Sequence, residues 1–186
     1  MTIQHKLITG ADLHEPKGVA SAANKTVYVA NGSGSGSWTK PHSEGNVYIT
    51  FNASSPTYTQ ANTTSDVIVN PTFSSGLMDQ FTLVSSPNAR IRYDGSVTKT
   101  INIIMTTSCK QASGSAKDVE YALFKNGTEI TGSRVIRTMS TGSWGSLATA
   151  AATTMSTNDY IELKSKTSAS ATVEYAALIL KVSGNV

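Results

Sequence analysis

Short runs of alternating or β-branched residues, broken about every ten residues by Gly, Asn, Asp or Pro, confine this chain to a small set of folds. The runs are Val47–Ala53, Asp66–Asn70, Gln80–Val84, Ala89–Tyr93, Lys99–Thr107, Asp118–Lys125, Thr128–Ile130, Arg134–Met139, Ser146–Met155, Tyr160–Lys164 and Thr172–Val182. Ser and Thr make up about a quarter of the 186 residues, and charged residues 15% against the usual ~25%. That mixture favours strands and turns over helices. Asp94-Gly95 and Asn126-Gly127 are tight-turn dipeptides of the hairpin kind. The Ala-rich run Gly145–Met155 suits a helix on propensity alone, but its recurrent Thr and the strand signals on both sides predict a strand. The expected fold is all-β, an antiparallel β-sandwich or jelly roll.

Two runs are apolar on both faces. In Asp118–Phe124 one face carries Val119, Tyr121 and Leu123, the other Glu120, Ala122 and Phe124. In Thr172–Val182 one face carries Val173, Tyr175, Ala177 and Ile179, the other Glu174, Ala176, Leu178, Leu180 and Val182, so both are mostly apolar. A strand with one wet face should alternate apolar with polar. The second apolar face therefore needs a cover, most simply a copy of the chain, which predicts a homo-oligomer. Tyr121, Phe124, Tyr175, Leu178 and Leu180 are the expected interface residues.

The chain divides near residue 45 into an arm, 1–45, and a β domain, 46–186. The arm has no pattern that buries a core. Pro16-Lys17-Gly18 marks a turn, Thr26–Ala30 is a short strand-like run suited to another protein's sheet edge, and Asn31–Ser37 is a Gly-Ser tether ending at Trp38. Trp38 anchors the arm in a neighbour or packs on its own chain. Fully extended, an arm this long reaches on the order of 150 Å, against a radius of gyration of about 14 Å for the domain. The arm is expected to be disordered until it docks.

Little chemistry is on offer. All three histidines, His5, His14 and His42, lie in the arm, where a tethered base is poorly placed for catalysis. The body's acids include Asp94, Asp118, Glu120, Asp159, Glu162 and Glu174, mostly at turns and strand ends, where solvated surface is the ordinary role. Asp12, His14 and Glu15 match no metal-ligand spacing and suit a docking turn better. No enzyme activity, metal or cofactor is expected. The net charge of +3 is spread singly, without the basic stripe that nucleic acid requires. Trp144, in a loop, is a sugar-stacking platform or a cover for the end of the sandwich. The single Cys109 lies in a strand and reads as a small buried thiol. No apolar stretch approaches membrane-spanning length, and no secretory signal is visible, so synthesis in a host cytoplasm is expected.

The stretch HKLITGADLHEPKGVASAANKTVYVANGSGSGSW, His5 to Trp38, resembles the N-terminal segments of small tailed-bacteriophage structural proteins. ARIRYDG at Ala89–Gly95, YALFKNGT at Tyr121–Thr128, Arg134–Met139, NDYIEL at Asn158–Leu163 and the closing strand to Val182 resemble phage fibre and decoration domains with a tumour-necrosis-factor-like jelly roll. This second resemblance covers about residues 80–184 and implies a trimer. Together they imply a virion component on the capsid surface, a homotrimeric decoration (cement) or short head-fibre protein. Its arm would dock on the major capsid protein through Leu7, Ile8, Asp12, His14, Glu15, Val27, Tyr28, Val29 and Trp38. The alternative is a tail-borne adhesin, with a tail protein as its anchor and a host glycan or surface protein as its target.

Overall fold

Alternation of buried and exposed residues runs through the structure, a computed structural model that describes residues 21–30, 33, 35–51, 58–84 and 89–185. The chain forms two units, Met1–Pro41 and His42–Val186. The second begins four residues before the expected boundary, because His42–Ile49 is one strand. His42 is therefore no tether residue. Its Nδ1 lies 2.9 Å from Asn185 Oδ1 and its Nε2 3.3 Å from Glu44 Oε2, and these acceptors raise its pKa.

In the first unit β1 (Val27–Ala30) pairs antiparallel with β2 (Gly36–Thr39). The second unit holds β3 (His42–Ile49), β4 (Tyr58–Asn62), β5 (Val67–Ile68), β6 (Ser74–Asp79), β7 (Phe81–Val84), β8 (Arg90–Tyr93) and β9 (Lys99–Gln111). It continues through β10 (Lys117–Lys125), β11 (Thr128–Glu129), β12 (Val135–Met139), β13 (Gly145–Met155), β14 (Tyr160–Thr167) and β15 (Ala171–Asn185). Among the described residues these form two sheets of antiparallel ladders. One runs β11-β10-β14-β8-β7, with β12 also on β10 and β5 on β14. The other runs β13-β9-β15-β3-β6, with β4 also on β15. From β8 onward the chain passes repeatedly between the sheets, the pattern of a jelly roll.

Turn chemistry accounts for part of this path. Asn126 and Gly127 both take positive φ, 49° and 83°, as the tight turn from β10 into β11 requires. Asp94-Gly95 behaves differently from expectation. It carries the chain from β8 in one sheet to β9 in the other, with Gly95 against the Tyr93 ring, where a Cβ would meet the phenol. The Ala-rich run is strand β13, paired with β9 over its whole length. Long-range pairing overrides its helix propensity.

The inner faces meet in a core that includes Ile91, Ile101, Ile103, Met105, Leu123, Ile161 and Leu163, each with no exposed surface. Here the expected interface residues move inside. Tyr121, Tyr175, Leu178 and Leu180 have no exposed surface within a single chain, so they belong to its core and offer nothing for a copy to cover. Phe124 faces outward but is 7% exposed, because the Lys164 ammonium lies 4.3 Å from its ring centroid. The cause on β15 is a bulge. Tyr175 faces Cys109 on β9 and Ala177 faces Ser108, leaving Ala176 as an extra residue. The inward phase thus passes from Val173 and Tyr175 to Leu178, Leu180 and Val182, and the two apolar faces become one.

Cys109 lies in this core, 3.5 Å from the Tyr121 hydroxyl, which also donates to the Tyr175 hydroxyl at 3.1 Å. Burial pushes the thiol up to about 11. At pH 8 about one molecule in a thousand would carry the thiolate, so Cys109 should resist a disulfide-exchange reagent until denaturant is added. Fast labelling of the native protein would place it elsewhere. Leu180→Ala should cost about 2–5 kcal/mol in urea unfolding, as for buried leucines, and by the same amount at every protein concentration. A cost confined to low concentration would return Leu180 to a subunit interface.

Candidate association surfaces

The Gly-Ser tether is not a simple tether. Its last residues form β2, so the strand at Val27–Ala30 finds its partner in its own arm. Tyr28 and Trp38 face each other, with ring centroids 5.5 Å apart at 64°. Gly36 lies under the Tyr28 ring, where a Cβ would stand 2.8 Å from ring carbon Cε1. Val27 and Tyr28 are exposed, while Val29 and Trp38 are half-buried. Over this span a formed hairpin replaces the expected disorder. Leu7, Ile8, Asp12, His14 and Glu15 lie outside the described residues.

On the second unit, the outward side of the β13-β9-β15 sheet presents mostly small side chains. β13 contributes Ser146, Ala148, Ala150, Ala152 and Thr154, β9 contributes Asn102, Ile104, Thr106 and Ser108, and β15 contributes Ala177 and Ile179. Lys181, opposite Ile104 on the same face, carries a charge there and reaches Glu44 Oε1 at 2.6 Å. Thr106 sits between Ala148 and Ile179, and together with Ala177 they line a groove of about 410 Å³. Ile104 is 50% exposed and Ile179 46%. The edge of β13 is guarded instead: Arg137 donates to the Ser146 carbonyl at 2.9 Å and the Lys125 ammonium to the Thr154 carbonyl at 2.5 Å.

The other sheet presents charge. Arg134 bridges Asp66, Glu120 and Glu129, of which Glu129 and then Asp66 raise its pKa, and Lys166 adds a second cation on Glu120 at 3.2 Å. Glu162, 2% exposed, pairs with Arg90 and lies 3.7 Å from the Lys164 ammonium. The remaining acids expected as solvated surface are also partnered: Asp94 with Arg92, Asp118 with the Thr138 hydroxyl, Asp159 with Lys125 and Glu174 with Lys110. Among the described residues, no group of three or more His, Cys, Asp or Glu is placed to hold a metal ion. Trp144 is half-buried with the Lys110 ammonium 4.8 Å from its ring centroid.

Sequence periodicity missed several buried polar side chains. Lys99, 3% exposed, donates to the Ser43 hydroxyl at 2.8 Å, and desolvation lowers its pKa against the pull of Asp79. Gln60, Asn62 and Gln111 are equally buried. Only an isolated polar residue at an inward phase could have signalled them, and β4 is too polar to read as a strand.

No family model matches the chain, and no curated protein matches it significantly. Among solved structures, an Eiger tumour necrosis factor from S. frugiperda superposes with a TM-score of 0.52 at 9% identity, covering 79% of this chain and 94% of that one. Murine APRIL superposes with a TM-score of 0.42 at 12% identity, covering 76% of this chain and 98% of that one. The likeness is one of fold: the chain folds into a tumour-necrosis-factor-like jelly roll.

Proposed function

We propose that the chain is a structural protein of a tailed-bacteriophage particle, a homotrimer that decorates the capsid as a cement or short head-fibre protein. The division into two units carries this reading: an N-terminal unit with its own aromatic hairpin, then a jelly roll with a sheet face of small side chains around two exposed isoleucines. The first unit is the anchor on the major capsid protein, with Tyr28 and Trp38 among its contacts. The second makes the trimer, and Ile104 and Ile179 are its seam, in place of the buried residues expected from sequence. The number three comes from the resemblance to phage tumour-necrosis-factor-like domains. No catalysis, metal or nucleic acid enters this role.

An anchor that binds only the assembled shell stabilises that shell by mass action. Three anchors on one trimer raise the affinity well above that of one, provided the sites are spaced to take all three. The protein would be made in the host cytoplasm and reach the capsid surface by assembly.

Ile104→Glu combined with Ile179→Glu should convert trimer to monomer in analytical ultracentrifugation while leaving the β-sheet circular dichroism intact. A trimer that survives both changes would rule out this seam. Deleting residues 1–41 should leave a folded trimer that no longer sediments with particles. Continued binding would remove the anchor from this unit, and cryo-electron microscopy showing the protein on the tail would make it an adhesin.

A further inference from the structure

Asn126 and Gly127 make the turn from β10 into β11, and both are exposed. Asn-Gly is the dipeptide most prone to deamidation, because glycine has no Cβ to shield its backbone nitrogen. The Gly127 nitrogen attacks Asn126 Cγ, the bond from Cγ to Nδ2 breaks, and the nitrogen leaves as ammonia with the proton given up by the Gly127 amide. Water then opens the five-membered imide at either carbonyl, giving aspartate or isoaspartate. Nothing but water is consumed.

In this fold both ends of the Asn126 carboxamide are held. Its Oδ1 accepts from the Tyr160 N–H at 2.9 Å, and its Nδ2 donates to Asp159 Oδ1 at 2.7 Å. A backbone N–H only donates and a carboxylate only accepts, so the amide has one orientation. Asp159 is fixed in turn through Oδ2, which accepts from the Ser156 N–H at 2.8 Å and the Lys125 ammonium at 2.9 Å. The Asn126 N–H donates to the Tyr160 carbonyl at 3.1 Å, tying the backbone of the turn to the start of β14. Closing the imide ring brings Cγ onto the Gly127 nitrogen, which draws the carboxamide off both partners. The bond to Asp159 is charge-assisted and the stronger of the two.

We propose that Asn126 is a modification site of this chain: water converts it to a carboxylate, without an enzyme, when the β10-β11 turn opens, and Asp159 sets the rate by holding the amide closed. Such local opening needs no unfolding of the core. The product cannot resume the clamp. A carboxylate has no N–H to give Asp159, and its charge stands against a like charge. A turn that has reacted therefore stays loosened, and the chain carries a permanent record of having opened. This site requires neither the anchor nor the trimer.

Peptide mapping of the full chain, incubated in mildly alkaline buffer with and without urea, follows the conversion to aspartate and isoaspartate. In urea Asn126 should convert as fast as Asn31, the chain's other Asn-Gly, and in native buffer about tenfold or more slowly. Asp159→Ala should raise the native rate by about tenfold, the worth of one charge-assisted hydrogen bond, and leave the rate in urea unchanged. Leu180→Ala, which weakens the core and not the clamp, should leave the native rate as it was. If Asp159→Ala loses its β-sheet circular dichroism, Asp159→Asn serves instead: it keeps the shape, makes the bond neutral and should give a smaller rise. A native rate equal to that in urea would overturn the clamp, as would no rise in the folded Asp159 variant. An equal rise in Leu180→Ala would mean that the whole domain must unfold first, and would overturn Asp159 as the group that sets the rate.

Discussion

Strand β15 bonds to β9 along one side and to β4 and then β3 along the other, and which of its residues face inward decides whether the sandwich has a core. The bulge at Ala176 falls where its partner changes from β4, which ends opposite Tyr175, to β3, which begins opposite Leu178. One extra residue there does two things at once. It lets β15 serve two neighbours, and it keeps Tyr175 and Leu178 on the same side of the sheet. Without it Leu178, Leu180 and Val182 would point to water, and the core facing Tyr121, Leu123 and Leu163 would lose three residues of its second wall.

Much of the fold was legible because period-two alternation and turn dipeptides are local signals. Most runs expected from Asp66 onward are strands within a few residues of their observed ends, and the Ala-rich run resolved correctly because its neighbours were unambiguous. Other features depend on distant partners. Nothing in Ser74–Asp79 or Tyr58–Asn62 marks a strand until β3 and β15 stand beside them. Asp94-Gly95 carries hairpin chemistry, yet the chain leaves for the other sheet. Alternation counted through Ala176 puts Leu178 and Leu180 on the side opposite Tyr175, whereas the bulge brings all three inside. The same correction puts Ile179 outside.

Polarity is distributed unevenly over the sandwich. The β10-β14 side is tied together by Arg134, Lys166 and Arg90 with their acids, a network in which each charge has a neighbour of opposite sign. The β13-β9-β15 side is mostly hydroxyls, alanines and two isoleucines, with Lys181 beside Ile104 drawn to Glu44. Charge across a face discourages close approach by a copy, while a face of low charge permits it. The guarded edge of β13 serves the same end, since it turns approaching chains from edge pairing toward face packing.

The central position of β15 also sets when this domain can exist. It is the last strand of the jelly roll to be synthesised, yet β3, the first, has no partner on that side until β15 arrives. The pairing that closes the six-stranded sheet joins segments more than a hundred residues apart, and such non-local topologies fold on the millisecond-to-second scale. On the ribosome the growing chain would hold β3, β9 and their apolar faces open throughout elongation of the domain, so folding is confined to the moment after β15 emerges. Demand on chaperones should therefore be set by how many such chains finish together.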